Sequence, residues 1–208
     1  MLQTIKSIFK NRIICIVLLA SFACGCGNGR VPVGNKEIIV TSLIDAVIEG
    51  AASGVSDILT HDQNIVFINS RDCRGVTPLM YASRYGRTSV VMELLKHGAN
   101  PNLRNTFGVT PLMLASLHGY KEIVIDLLKN GADPNLTNNH GVTALMFAVH
   151  KNYLGIVIKL LQSGANPNIK DKTNLSALTI AQHNKRKDIV TQLTFFGAKD
   201  SVIPGRPH

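Results

Sequence analysis

"GVTPLM" occupies residues 75–80 and recurs unchanged at residues 108–113, and "GVTALM" follows at residues 141–146. The copies begin at positions 75, 108 and 141, so the step between them is constant. Each copy continues through a Leu-Leu pair into a Gly-Ala pair and then into an Asn-Pro-Asn or Asp-Pro-Asn turn. A constant period of this length indicates a stacked repeat architecture.

The residues within one period predict two helices. Thr77-Pro78 is a helix start, because a threonine hydroxyl can cap a free N–H group and Pro is tolerated at the first helical position. We expect the first helix to end near Gly86 and Gly119, with Asn152 at the same place in the next copy, since both residue types adopt the left-handed conformation that ends helices. A second amphipathic helix follows, for example "SVVMELLKHG" at residues 89–98.

With these motifs the chain resembles the ankyrin repeat family, whose unit is a β-turn and two antiparallel helices with a TPLHxA motif at the first helix. The motif here is "TPLMYA", "TPLMLA", "TALMFA" and "SALTIA", so the usual His is replaced by Met80, Met113, Met146 and Thr179. The resemblance implies an all-α ankyrin-repeat solenoid of about five helix-turn-helix repeats joined by β-turn fingers.

The period also predicts how the chain is divided. We expect a signal peptide with a lipobox-like end at residues 1–26 and a flexible tether at residues 27–40. The ankyrin repeat domain is expected at residues 41–200, with repeats starting near 41, 77, 110, 143 and 176, and a C-terminal tail at 201–208. The first and last repeats are expected to be caps, because a terminal repeat needs a polar outer face for solubility.

The N-terminal segment has the pattern of an export signal. Lys6, Lys10 and Arg12 precede a largely apolar run from Ile13 to Ala23, which is too short for an ordinary membrane span. The small residues that follow resemble a bacterial lipobox, so one of Cys24 and Cys26 is predicted to carry an acyl anchor. Simple cleavage after the apolar run and an uncleaved anchor are the alternatives. The predicted location is the cell membrane or outer membrane, facing the periplasm or exterior, with secretion as the alternative.

The sequence offers no pattern typical of an enzyme or a metal site. Of the four cysteines only Cys73 lies among the repeats, so we expect no disulfide framework. We expect Cys73 to be a solvated turn residue, with a reactive thiol as the alternative. His118, His150 and His183 end successive first helices, but neighbouring helices pack about 10 Å apart, too far for two imidazoles on one metal at about 2.1 Å. We therefore expect no catalysis, no cofactor and no metal.

The charge and the resemblance together predict a binding protein. The formal net charge is +9, with the basic residues spread along the repeats. In an exported protein this favours an acidic protein partner or an anionic membrane surface over nucleic acid. The resemblance implies a concave face made of turn tips and first helices. The candidate contact residues on it are Arg74, Arg84, Tyr85, Phe107, His118, His140, His150 and Lys151. Among them Phe107 is the natural anchor, as aromatic residues are at interfaces.

The sequence thus predicts a membrane-anchored scaffold that binds another protein and catalyses nothing. Two alternatives stay open at this point. One is a metal-handling or enzyme-protecting accessory factor in the cell envelope, which would use the stacked histidines. The other is a secreted effector that binds host proteins, which requires Cys24 and Cys26 to be unlipidated.

Overall fold

Five pairs of helices are stacked side by side in the computed structural model, which describes residues 35–60 and 67–199. The first helix of each pair, the inner helix, is α1 (Asn35–Glu49), α3 (Pro78–Arg84), α5 (Pro111–His118), α7 (Ala144–His150) or α9 (Ala177–His183). The second, the outer helix, is α2 (Ala52–Leu59), α4 (Thr88–Lys96), α6 (Lys121–Lys129), α8 (Leu154–Gln162) or α10 (Lys187–Phe195). The described residues contain no strand beyond two isolated bridges, Thr137 with Thr143 and Lys170 with Ser176. The predicted all-α solenoid of five helix-turn-helix repeats is confirmed.

The first helix is longer than expected. We expected a flexible tether up to residue 40, but α1 begins at Asn35, so that expectation is wrong for residues 35–40. The physical reason is local, because no Gly or Pro interrupts the chain between Asn35 and Glu49 and the helix has nothing to stop it earlier. Residues 1–34, 61–66 and 200–208, which include the predicted signal and the predicted tail, lie outside the described residues.

Side-chain caps start the inner helices of the last four repeats as predicted. The Oγ1 atoms of Thr77, Thr110 and Thr143 each accept a hydrogen bond of 3.3 Å from the backbone N–H three residues later. Ser176 Oγ accepts the equivalent bond from Thr179 at 3.2 Å. The cap uses only the backbone N–H of the residue at the position where the family usually has His, so it does not depend on the side chain there. In three of these repeats that side chain is a buried Met.

The repeats meet through small residues. Ala82, Ala115, Ala148 and Ala181 have no exposed surface and lie on successive inner helices, which pack against one another. The methyl group of alanine is small, so it fills the space between neighbouring inner helices and still lets them approach closely. The outer helices also pack in sequence, and their Val, Ile and Leu residues complete one continuous core.

The turn from inner to outer helix needs a left-handed residue in each of the last four repeats. Gly86, Gly119, Asn152 and Lys185 have φ angles of 69°, 83°, 63° and 56°. At Gly119 a Cβ atom would lie 2.7 Å from the Tyr153 ring, so glycine is required there for space as well as for conformation. The predicted ends at Gly86, Gly119 and Asn152 are confirmed, and Lys185 holds the same conformation without the freedom of Gly or Asn.

An asparagine clip joins neighbouring repeats just after each outer helix ends. Asn102, Asn135 and Asn168 donate from Nδ2 to the carbonyl oxygen of the glycine 29 residues later, at 2.8, 3.0 and 3.0 Å. Their Oδ1 atoms accept from the backbone N–H 31 residues later, at 2.8, 2.7 and 2.8 Å. These bonds fix the register of neighbouring repeats at every Asn-Pro-Asn or Asp-Pro-Asn turn.

The last repeat presents polar groups where earlier repeats present apolar ones. Thr179, Gln182 and Thr194 occupy the places of buried Met146, Val149 and Leu161 in the preceding repeat. No described residue packs beyond this face as a further repeat would. Polar side chains there lower the cost of leaving the end of a solenoid in water.

Candidate functional site

The finger tips form one continuous edge, held by the backbone. Arg74 accepts at its carbonyl oxygen a hydrogen bond of 3.0 Å from the N–H of Thr106 on the next finger. Phe107 and His140 accept the equivalent bonds from Asn139 and Lys172 at 3.0 and 2.9 Å. Three of the residues predicted to contact a partner, Arg74, Phe107 and His140, therefore occupy equivalent places along this finger edge.

Each finger also fixes its own shape, which leaves the tip side chain free. Asn105 Oδ1 accepts from the backbone N–H groups of Phe107 and Val109, at 3.0 and 2.9 Å. Asp72, Asn138 and Asp171 close the other fingers in the same way. The turn does not depend on the Phe107 ring, which is 61% exposed at the tip. An exposed aromatic ring on a rigid turn is suited to bury its area against a partner.

An aromatic cluster joins the second finger to its inner helix. The Tyr81 hydroxyl donates to Asp72 Oδ2 at 2.9 Å and accepts from Arg74 Nη2 at 3.2 Å. The Tyr81 ring stacks nearly parallel on the ring of Tyr85, with 6.3 Å between centroids, and the Arg84 guanidinium lies 5.9 Å from the Tyr85 centroid. The structure thus brings predicted Arg74, Arg84 and Tyr85 together around a residue that was not predicted.

Tyr81 is not among the predicted contact residues, although the sequence contains a signal that could have identified it. The equivalent positions in the later repeats are Leu114, Phe147 and Ile180, so the repeat pattern marks this position as apolar. The pKa of Tyr81 is raised, first by burial and then by the hydrogen bond to Asp72, so the phenol stays protonated as a donor. A single hydroxyl at a position that is otherwise apolar is the signal that could have marked it.

His118 lies between two cations from the adjacent repeats. Arg84 ends α3 and Lys151 follows α7, and both act on the imidazole. The His118 ring stacks on Tyr120 with 6.0 Å between centroids. Its pKa is lowered, first by partial burial and then by repulsion from Arg84 and from Lys151. Predicted His118, Arg84 and Lys151 therefore share one electrostatic environment across three repeats.

Most cations near this cluster pair with none of the described carboxylates. Within residues 42–60 and 67–199 the ion pairs are Arg74 with Asp72, and Lys96 and His97 with Glu93. Arg84 and Lys151 are exposed and make none of these pairs. His140 and His150 are also exposed. No three His, Cys, Asp or Glu side chains in the described part of the chain are grouped as ligands for a metal ion.

In the last four repeats, positive charge is concentrated on one side. From residue 69 to 186 the fingers, the inner helices and the loops to the outer helices carry ten Lys and Arg against three Asp. The four outer helices α4, α6, α8 and α10 carry five Lys against four acidic residues. The basic residues look evenly spread along the sequence, but the fold sorts them to the finger side. The cations of that side are Arg71, Arg74, Arg84, Arg87, Arg104, Lys151, Lys170, Lys172, Lys185 and Arg186.

Cys73 is the only cysteine among the described residues. Cys73 is exposed on the first described finger, as expected of a solvated turn residue, but it is disulfide-bonded, so the expectation that this part of the chain takes part in no disulfide is wrong. An exposed turn position leaves the sulfur accessible for such a bond. Cys24 and Cys26 lie outside the described residues.

Among the helices that are described, none has the length and apolarity needed to cross a membrane.

Stacked helix pairs with a row of projecting fingers define a repeat scaffold, a class of protein that offers an extended surface for binding. Residues 43–138 match a family model described as ankyrin repeats in three copies, and residues 127–181 match one described as ankyrin repeats in many copies. The chain belongs to the ankyrin repeat family. No curated protein matches the sequence. Proteins of this family generally bind other proteins, and this chain is a scaffold for protein–protein interaction.

Proposed function

We propose that the chain is a non-catalytic scaffold that binds an acidic protein through its finger side and is held at a membrane by an acyl group on Cys24 or Cys26. The observation that carries the first part is the charge distribution. In the last four repeats, ten cations against three carboxylates on the finger side create a positive field, whereas the four outer helices of these repeats are nearly balanced. Such a field attracts an acidic partner and orients it toward one face.

Two exposed aromatic residues give this surface its apolar contacts. Phe107 is 61% exposed and Tyr85 is 45% exposed, and both lie among the cations of the second and third repeats. Aromatic side chains are enriched among the residues that dominate binding energy at interfaces. A partner that fits this surface combines carboxylates with an apolar patch that covers the two rings.

The test is capture of the partner from membranes of the native organism by tagged full-length chain. Phe107→Ala should weaken capture by about 2 kcal/mol, the usual threshold for a dominant contact, without changing the fold. Arg84→Glu should weaken capture mainly at low ionic strength, where exposed charges are least screened. The matched control is Lys129→Glu, which places the same acidic residue on outer helix α6. Loss of the partner with the control, and retention with the other two, would place binding on the outer helices instead.

The proposed anchor rests on the basic start, the apolar run that ends at Ala23 and the two cysteines that follow it. Acyl transfer requires a thiol, so Cys24→Ser combined with Cys26→Ser should abolish labelling by a radioactive or alkyne-tagged fatty acid. The double variant should also leave the membrane fraction. Labelling that survives in the double variant, or a protein that stays membrane-bound through residues 13–23, would contradict the lipoprotein assignment.

A further inference from the structure

We propose that Cys24 carries the acyl anchor and that Cys26 forms the disulfide with Cys73 on the finger of the second repeat. The proposal rests on the proposed function, because it decides which of the two candidate cysteines is acylated. Its basis is that Cys73 is disulfide-bonded and that the other cysteines of the chain are Cys15, Cys24 and Cys26. Acylation and disulfide formation use the same few sulfur atoms, so each modification restricts the other.

The order of the cysteines along the chain decides between the candidates. At a lipobox the cysteine thiol exchanges its S–H bond for an S–C bond to the diacylglyceryl group of a phospholipid, and the phosphate headgroup leaves with the proton. Water then cleaves the peptide bond before this cysteine, which becomes the N-terminus. Acylation of Cys26 would remove Cys15 and Cys24 with the cleaved segment, and Cys73 could not form a disulfide within the mature chain. Acylation of Cys24 removes only Cys15 and keeps Cys26 for the disulfide.

The fold brings the start of α1 to the side on which this finger lies. Nε and Nη2 of Arg87, just after α3, donate to the carbonyl oxygen of Ile48 near the end of α1, at 3.1 and 2.8 Å. The two inner helices pack against each other, so their C-terminal ends meet and their N-terminal ends lie together on the finger side. More residues of α1 than of α3 precede this contact, and at about 1.5 Å per residue α1 extends past the start of α3 toward the finger.

The chain before α1 is long enough for Cys26 to reach the finger. From Cys26 to Asn35 an extended chain spans up to about 30 Å. That reach exceeds the spacing of about 10 Å between neighbouring inner helices. Gly25 and Gly27 flank Cys26, so no neighbouring side chain obstructs its sulfur. Cys73 is exposed at its turn and can be approached from outside.

Closing the disulfide requires an oxidant. The thiols of Cys26 and Cys73 together lose two protons and two electrons as the S–S bond forms. The oxidant is the disulfide of a thiol–disulfide exchange protein in the export compartment, which is reduced to two thiols through a mixed disulfide. Such bonds persist outside the cytosol, in agreement with the export signal.

The pairing holds this finger close to the membrane. Cys24 and Cys26 are two residues apart, at most about 7 Å, and the Cα atoms of a disulfide are about 4–7 Å apart, so Cys73 lies within about 14 Å of the acylated residue. The route along the chain from Cys24 to Asn35 would allow about 36 Å. The disulfide therefore shortens the anchor, and the finger edge begins at the lipid surface.

The test is a mass map of the full chain, purified from membranes without reductant. Trypsin cuts after Arg, so the pairing predicts one species in which residues 24–30 are linked to residues 72–74. Its mass should include the diacylglyceryl group on Cys24. Reduction should release the two peptides, each with one thiol that reacts with a maleimide, whereas the unreduced mature chain should not react.

Single variants separate the two roles. Cys24→Ser should lose labelling by an alkyne-tagged fatty acid, whereas Cys26→Ser should keep the label and expose the Cys73 thiol to the maleimide without reduction. Cys73→Ser should keep the label and expose the Cys26 thiol in the same way. The matched control is Cys15→Ser, which removes a cysteine that leaves with the cleaved segment and should behave as the parent does. Label and thiols are both read on denatured protein, so a loss of fold would not change them.

The failure of the assignment and the failure of the anchor give different results. Label that is kept in Cys24→Ser and lost in Cys26→Ser would overturn the assignment and leave the lipoprotein proposal in place. Maleimide reaction of Cys73 in the unreduced, acylated parent, or a disulfide that joins two chains, would overturn the pairing. A parent chain that takes up no fatty acid would refute the proposed anchor itself, whatever the state of its disulfide.

Discussion

Ala115→Asp should unfold the stack from its centre. Ala115 has no exposed surface and lies on α5, between the inner helices of the second and fourth repeats. The new carboxylate would have no partner, which costs about 3–5 kcal/mol, and its extra atoms would overpack the interface by about 1–3 kcal/mol. The sum is a large part of the roughly 5–15 kcal/mol that stabilises an ordinary domain.

Circular dichroism with thermal and urea unfolding measures the effect. A buried carboxylate has a raised pKa, so the folded state binds more protons than the unfolded state and the penalty should be smaller at pH 4 than at pH 7. The control is Ser89→Asp, which adds the same charge at an exposed site in the first turn of α4, where no acidic residue is present. It should stabilise by a few tenths of a kcal/mol through the helix dipole. If Ala115→Asp melts as the parent does, the stacking face has been misassigned.

Two further variants test the connections between repeats and the turns within them. Asn135→Ala removes two hydrogen bonds to the following repeat and should lower the free energy of unfolding by about 2 kcal/mol, at about 1 kcal/mol for each bond. Asn139→Ala, which removes one exposed bond between fingers, should cost less in the same urea titration, and equal losses would show that the clip has no special role. Lys185→Gly should raise the melting temperature by several degrees, because a left-handed conformation costs a non-glycine residue about 1 kcal/mol. Lys159→Gly, within α8, should lower it, and a fall with both variants would refute the strain at Lys185.

The parts of the fold that depend on local chemistry could be predicted from the sequence. The caps at Thr77, Thr110 and Thr143 and the left-handed turn at Asn152 follow from residue types with few other options at those places. The start of α1 at Asn35 could not be predicted in this way, because the repeat period begins at Thr41 and says nothing about an extension before it. The available evidence for the longer helix was that no Gly or Pro lies between Asn35 and Glu49.

The candidate surface is less accessible to sequence reasoning, because it depends on which residues meet across repeats. Arg84 lies in the repeat before His118 and Lys151 in the repeat after it, and the repeat register places all three near the ends of successive inner helices. What the register cannot give is their combined effect on the imidazole, which depends on burial and on the charges that surround it. The concentration of cations on the finger side is not visible in the sequence, because segments of the two sides alternate along the chain.

The asparagine clips give the molecule a mechanical character. Each clip spans one junction only, and no described helix makes extensive contact beyond the adjacent repeat. A small change of angle at each junction adds to the next, so the stack behaves as a short spring whose curvature can follow the shape of what it holds. Tension applied along its axis would be borne by the junctions in series, and the weakest would open first while the remaining repeats kept their structure.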